Sequence, residues 1–151
     1  MPDFNFKLYT PVDKLTSIER IGVANFLYEH LGKYGDELKD IKHCLDYAMK
    51  EESSQGGFVI TCLDGRSIVG VVVINETGMT GYIPDNILVY IATHKKYRGR
   101  GIGKTLMQNA LKYSKGDMAL HVEPDNPAKS LYEKLGFSNK YLEMRYNRPK
   151  N

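Results

Sequence analysis

The sequence predicts an α/β (α+β) domain whose elements run β-α-α-β-β-β-α-β-α-β, and three observations carry that prediction. The spacing of apolar residues changes along the chain, from a period of two to one near 3.6 and back. Two strand-like runs flank an Asp64-Gly65 turn. A third apolar run, Ile87-Leu88-Val89-Tyr90-Ile91-Ala92, enters a basic, glycine-rich turn that opens an amphipathic helix.

Taken in order, Phe4 to Tyr9 sets Phe4, Phe6 and Leu8 against Asn5, Lys7 and Tyr9, the alternation of a half-buried strand. Thr16 or Ser17 is placed to cap a helix carrying Ile18, Ile21, Val23, Phe26, Leu27 and Leu31, with Gly32 to stop it. A second helix is expected from about Asp36 to Lys50, with Leu38, Ile41, Leu45 and Met49 on one face. Gly56-Gly57 breaks that pattern. Phe58 to Cys62 and Ser67 to Ile74 then form an antiparallel hairpin across Asp64-Gly65. The polar stretch from Glu76 to Pro84 is a longer connection. Ile87 to Ala92 is apolar on both parities and is expected to be covered on both faces.

The helix from Gly101 turns Ile102, Leu106, Ala110 and Leu111 inward, and Met118 to Val122 is a short strand. Asn126 caps a helix that starts at Pro127, sends Leu131 and Leu135 inward and closes at Gly136. A last strand is expected at Tyr141 to Tyr146.

Composition suits one domain over residues 1–151: the chain is 42% hydrophobic and 26% charged. The net charge of +3 is concentrated, since seven cationic side chains fall between Lys95 and Lys115. A phosphate-rich ligand accounts for that cluster, and no nucleic-acid-binding motif or aromatic-basic array accompanies it. Cys44 and Cys62, 18 positions apart, match no metal or redox spacing and are expected to be buried or half-buried thiols. The histidines (His30, His43, His94, His121) have no metal-ligand spacing, so no metal is expected. No apolar run reaches the roughly 18 residues of a membrane span, and Met1-Pro2-Asp3-Phe4 does not open a secretory signal, so a cytoplasmic location is expected.

Arg98-Gly99-Arg100-Gly101-Ile102-Gly103-Lys104 reads as an anion site. A helix start leaves about four amides without internal partners, at the positive end of the helix dipole. Glycines there remove Cβ atoms and allow positive φ, so that amides converge on a phosphate. The dinucleotide fingerprint G-x-G-x-x-G fails because Lys104 stands where the last glycine belongs. The nucleotide-triphosphate loop matches at Gly103-Lys104-Thr105 but has Arg98 in place of its leading glycine.

Arg98-Gly99-Arg100-Gly101-Ile102-Gly103 resembles the R/Q-x-x-G-x-G/A signature of the GNAT acyltransferase superfamily. A second segment, Asp125-Asn126-Pro127-Ala128-Lys129-Ser130-Leu131-Tyr132-Glu133-Lys134-Leu135-Gly136-Phe137, resembles that superfamily's N-x-x-A-x-x-L-Y-x-x-x-G-F, with Asp125 where asparagine is usual. The resemblance implies a mixed, mostly antiparallel central sheet flanked by helices. It also implies transfer of an acetyl group from acetyl-CoA to a primary amine of a small molecule or peptide, by direct attack and without metal. The other reading is a catalytically silent acyl-CoA-binding module.

By the same resemblance, residues 98 to 104 hold the pyrophosphate, with Arg98 and Lys104 beside it and Arg100 near the ribose phosphate. The pantetheine arm pairs with Ile91, Ala92 and Thr93, and the Ile91 amide is the oxyanion donor. Asn126, Ser130 and Tyr132 adjoin the cofactor, with Tyr132 as general acid to the leaving thiolate. Many relatives carry a glutamate base at the position of Ile87, and this chain has none there. Asp85 is the nearest carboxylate, and Glu29, His30, Tyr34, His121 and Glu123 are further candidates. Tyr28, Tyr34 and Tyr82 are aromatic candidates for an acceptor pocket. The protein is expected to be a monomer or homodimer.

Overall fold

The computed structural model describes residues 3–150; Met1 and Pro2, which belong to the stretch read for a secretory signal, and Asn151 lie outside them. The chain forms two compact units, Met1–Leu120 and His121–Asn151.

The first unit is built on a five-stranded sheet in sequential order, β1 (Asn5–Tyr9), β2 (Gly57–Asp64), β3 (Ser67–Glu76), β4 (Asn86–Thr93) and β5 (Met118–Leu120). β1 to β4 pair antiparallel, and β5 joins β4 in parallel. Helices α1 (Ser17–Leu31) and α2 (Leu38–Ala48) connect β1 to β2, and α3 (Ile102–Tyr113) connects β4 to β5.

α1 starts on a reciprocal cap: Thr16 Oγ1 accepts the Glu19 amide at 3.1 Å, and Glu19 Oε1 accepts the Thr16 amide at 2.9 Å. Its buried face is Val23, Ala24, Phe26, Leu27 and His30. Ile18 and Ile21, expected inside, are 83% and 54% exposed, because at 3.6 residues per turn both point roughly 150° away from the middle of that face. α2 is shorter than expected and buries Ile41, Leu45 and Ala48, with Met49 buried at its cap and Leu38 half-buried. These faces meet Tyr9, Val59, Val71, Val73, Tyr90 and Ala92 on one side of the sheet. Tyr9, assigned to the polar face of β1, is buried and donates its hydroxyl to Glu19 Oε2 at 3.0 Å.

α3 covers the opposite side and buries Ile102, Leu106, Met107 and Ala110; Leu111, expected inward, lies about half a turn from Ile102 and is exposed. Gly70 of β3 sets the distance of that helix from the sheet. A Cβ there would lie 2.7 Å from Ile102 Cγ2 and 3.0 Å from Leu106 Cδ1.

Among the described residues the second unit contains one helix, α4 (Ala128–Lys134), which begins one residue later than expected. Asn126 Oδ1 accepts the Ala128 amide at 2.9 Å, and Gly136 (φ +102°) follows the helix end. Tyr132 is the buried residue of this helix, while Leu131 and Leu135, expected inward, are half-buried. β5 stops at Leu120 rather than Val122. The strand expected at Tyr141–Tyr146 does not form: residues 138–150 have no regular secondary structure, and Tyr141, Leu142, Met144 and Tyr146 are exposed. Alternation alone makes no strand without a neighbouring edge to supply ladder bonds.

Candidate active site

β4 has two different halves. Its register with β3 runs its whole length but skips Val89, since Val73 opposes Tyr90 and Ile74 opposes Leu88. A bulge of this kind bends the strand and increases its twist. On the other edge, the ladder with β5 covers Asn86, Ile87 and Leu88 and ends there. Beyond the bulge, β4 is therefore paired within this unit on its β3 edge alone.

The groups that face the open edge follow from one bond. The His94 amide donates to Val69 O of β3 at 2.8 Å. Bonding direction alternates along an antiparallel pair, so Ala92 and Tyr90 also face β3, and Ile91 and Thr93 turn their N–H and C=O outward. Of the three expected pantetheine contacts, Ile91 and Thr93 thus offer main-chain groups on the open edge. Ala92 does not: its amide faces β3 and its side chain is in the core. β4 was expected to be fully covered, yet buried Asn86, Leu88, Tyr90 and Ala92 alternate with half-buried Ile87, Val89, Ile91 and Thr93.

After β4 the chain makes a 3-10 turn, Lys95–Tyr97, and enters α3 through Arg98 to Gly101. The first helical bond is from the Thr105 amide to Gly101 O at 3.0 Å. Among the described residues, the amides of 99 to 104 meet no main-chain or side-chain acceptor. Gly99 (φ +80°) and Gly101 (φ +82°) adopt the left-handed conformation, and a Cβ on either would touch no atom within 4 Å. Backbone conformation, not crowding, demands glycine there. Gly103, expected to share that conformation, is an ordinary helical residue without positive φ.

The cations of the turn are arranged unequally. Arg98 donates from Nη2 to the His30 carbonyl at 3.3 Å, in the last turn of α1. Arg100 lies over the Tyr97 ring, 4.8 Å from its centroid, and Lys104 is exposed in the first turn of α3. Tyr97 donates its hydroxyl to Asp64 Oδ2 at 2.6 Å, tying the turn to the end of β2. That anchor was not foreseen, although an aromatic residue inside a basic turn is a signal for one.

Asp85, the weak candidate for a base, is occupied at the other end of β4. Its Oδ1 accepts the Asp117 amide at 3.0 Å, and this bond, with a second from the Thr80 side chain, holds its carboxyl below the usual carboxylate range. Asp85 also precedes Ile91 by six residues, roughly 20 Å of extended chain. A base must come within hydrogen-bond reach of its proton, or one water away. The structure thus gives Asp85 a loop-clamping place in which it does not meet the Ile91 amide. Glu29 is exposed on α1, Tyr28 and Tyr82 are largely exposed, and His30 is buried. A further polar pair, unsuspected from sequence, is Tyr90 donating to Asp36 Oδ2 at 2.5 Å.

In the second unit Tyr132 is 6% exposed and meets Phe137 edge-on at 6.1 Å. Burial pushes its phenol up to about 12. Ser130 is exposed and donates to Pro127 O at 3.1 Å, so its hydroxyl is used at the start of α4. His121 and Glu123 are exposed.

The chain that carries this bulged strand and glycine-rich helix start belongs to the acetyltransferase (GNAT) family, whose model matches residues 17–137. It is similar to the N-alpha-acetyltransferase RimI of Mycobacterium tuberculosis, at 31% identity over 101 residues covering 66% of this chain and 63% of that protein. It is also similar to the mycothiol acetyltransferase of Corynebacterium glutamicum, at 33% identity over 102 residues, 64% of this chain and 33% of that protein. The chain thus spans less than two thirds of either relative. Among solved structures, an aminoglycoside N-acetyltransferase in complex with CoA superposes with a TM-score of 0.70 at 12% identity, covering 97% of this chain and 95% of that one, a likeness of fold.

Proposed function

We propose that this protein is an N-acetyltransferase that moves an acetyl group from acetyl-CoA to a primary amine of a small molecule or peptide by direct attack in a ternary complex. The observation that carries the proposal is the continuity of the open β4 edge with the run of unpartnered amides at 99 to 104. The residues fit the co-substrate: unpartnered amides at a helix N-terminus suit a pyrophosphate, and an open strand edge suits the amide-bearing pantetheine arm. Acetyl-CoA supplies an activated thioester; the chain supplies position, charge stabilisation and a proton.

Ile91 N–H is the proposed oxyanion donor, a role worth roughly 3 kcal/mol of barrier for one well-aimed group. Tyr132 is the proposed acid. A phenol raised to about 12 stays protonated at neutral pH and so has a proton to give. Giving it to a thiolate with a value of about 8.5 is uphill, so the transfer has to run in concert with release of the sulfur. With isoleucine at position 87 and Asp85 engaged elsewhere, the amine's proton leaves through solvent. Arg100 and Lys104 are the proposed phosphate partners, and Arg98 acts from its seat on α1.

The isoleucine at 87 favours one second reading, an acyl-CoA-binding module without turnover. Calorimetric titration with acetyl-CoA, ATP and NADH, followed by thiol release over an amine panel, separates the two. Micromolar acetyl-CoA binding with amine-dependent release is expected. Binding without release over a broad panel supports the silent module, and no binding of acetyl-CoA refutes both.

A further inference from the structure

The anion turn is held from two sides. On the sheet side, His94 N–H binds Val69 O and Tyr97 binds Asp64. On the helix side one residue of α1 makes two bonds. His30 Nδ1 accepts the Lys95 amide at 3.3 Å, and the His30 carbonyl accepts Arg98 Nη2 at 3.3 Å.

We propose that His30 is a positioning residue for the anion turn: by fixing the Lys95 amide and the Arg98 guanidinium together, it sets the direction in which the amides of 99 to 104 present themselves to phosphate. For its ligand the inference rests on the acetyl-CoA reading above.

Three observations support the assignment. The ring is 5% exposed and packs into a cluster with the rings of Phe26 and His94, with centroids 4.6 and 4.2 Å away, so it has little freedom to turn. A nitrogen that accepts a hydrogen bond carries no proton, so Nδ1 is bare and the proton is on Nε2, which faces Glu29 Oε2 at 3.7 Å. Burial first, and then the neighbouring His94, lower the ring's pKa below the ordinary imidazole value and disfavour its charged form, with Lys95 and Arg98 acting in the same direction and Glu29 against it. The latch therefore exists in the neutral form, the form the surroundings favour. Arg98 in turn meets the carbonyl end of α1, where a cation is favoured.

A histidine filling core space would show the same burial, so the test has to read the turn and the ligand separately. His30→Leu removes the acceptor and keeps an apolar side chain. His30→Asn restores an acceptor at the δ position. Hydrogen exchange of the ligand-free proteins is read at His94, Lys96 and Tyr97, whose amides bond to Val69 O, His94 Nδ1 and His94 O rather than to His30. In His30→Leu these three amides are expected to exchange about tenfold faster, with coenzyme A affinity about tenfold weaker and kcat at saturating acetyl-CoA unchanged. Loss of one hydrogen bond is worth a factor of that order. His30→Asn is expected to recover both to within about threefold.

Lys95→Pro gives a second route if His30→Leu fails to fold. Lys95 is the first residue of its 3-10 turn and follows extended His94 (ψ 134°), a place that tolerates proline while deleting the donor. Compared with Lys95→Gln, which keeps the N–H and removes the charge, it is expected to reproduce the loss of affinity. Unchanged exchange at His94, Lys96 and Tyr97 in His30→Leu, or equal coenzyme A affinity in Lys95→Pro and Lys95→Gln, overturns the inference. A wild-type protein that binds no coenzyme A instead overturns the acetyl-CoA reading and the ligand half of the inference, and the exchange data still decide the latch.

Discussion

The two halves of β4 come from one uninterrupted run of mostly β-branched and aromatic residues, yet the structure treats them in opposite ways. At the start, Asn86 to Leu88 are paired on both edges, Asn86 Nδ2 donates to Lys115 O at 2.7 Å, and Asp85 clamps Asp117. Past the bulge at Val89, Ile91 and Thr93 have no strand partner on one edge within this unit and lead into a turn whose amides meet no acceptor among the described residues. Polar groups satisfied at one end make a rigid root, and those left unsatisfied at the other make a place for a ligand. A single residue of slippage against β3 separates the two.

Substitutions of the groups proposed to bind the co-substrate and to supply the proton are expected to remove function without unfolding the protein. Gly101→Glu should have the largest effect, a loss of coenzyme A affinity of a hundredfold or more by calorimetry, since it adds a like charge and a side chain where φ is +82°. Retained affinity would mean that the turn is not the anion site. Tyr132→Phe should lower kcat by roughly a hundredfold and leave the KM for acetyl-CoA within a factor of two, as loss of a general acid does. Full turnover in that variant would return Tyr132 to a packing role.

Beside the open end, opposite Thr93, stands Gly70, which sets how closely the turn's helix lies on the sheet. Gly70→Val should destabilise the fold by roughly 1–3 kcal/mol in denaturant titration, because Ile102 and Leu106 must move. Coenzyme A affinity should fall as well, and unchanged affinity would show that the amides keep their aim when α3 shifts.

The smallest effect belongs to the closed end. Asp85→Asn should leave acetyl transfer unchanged and lower the melting temperature slightly. The Asp85 carboxyl is held below its ordinary range by the Asp117 amide and the Thr80 side chain. Its contribution is therefore present above the unfolded carboxylate's pKa and lost as pH falls through the lower folded value. The difference in melting temperature between wild type and Asp85→Asn should accordingly shrink on acidification. A large loss of kcat in this variant would restore Asp85 as a base.

Most of the first unit was legible in the sequence because its signals are local. The hairpin at Asp64-Gly65, a cap at Thr16 or Ser17 and the glycines of the turn are written within a few residues of where they act, and the structure settles the cap on Thr16. The last expected strand shows the limit of the same reasoning. Tyr141 to Tyr146 has strand-like composition, but a strand is a relation to another edge, and none pairs with it among the described residues. The helix faces fall between: α1 was placed correctly, but which stripe it buries depended on what it meets, and Ile18 and Ile21 were left outside.

By itself, then, the sequence determined the order of the elements up to α4, the position of the turn from Arg98 to Gly101 and the family resemblance carried by two motifs. Those are properties of neighbouring residues: propensity, periodicity and positive φ at glycine. Tertiary structure decided which β4 amides face outward, that Asp85 serves a loop, and that His30, 65 residues from Lys95, holds the turn. Register, bulges and contacts between distant segments are set by packing across the whole sheet, and no local pattern encodes them.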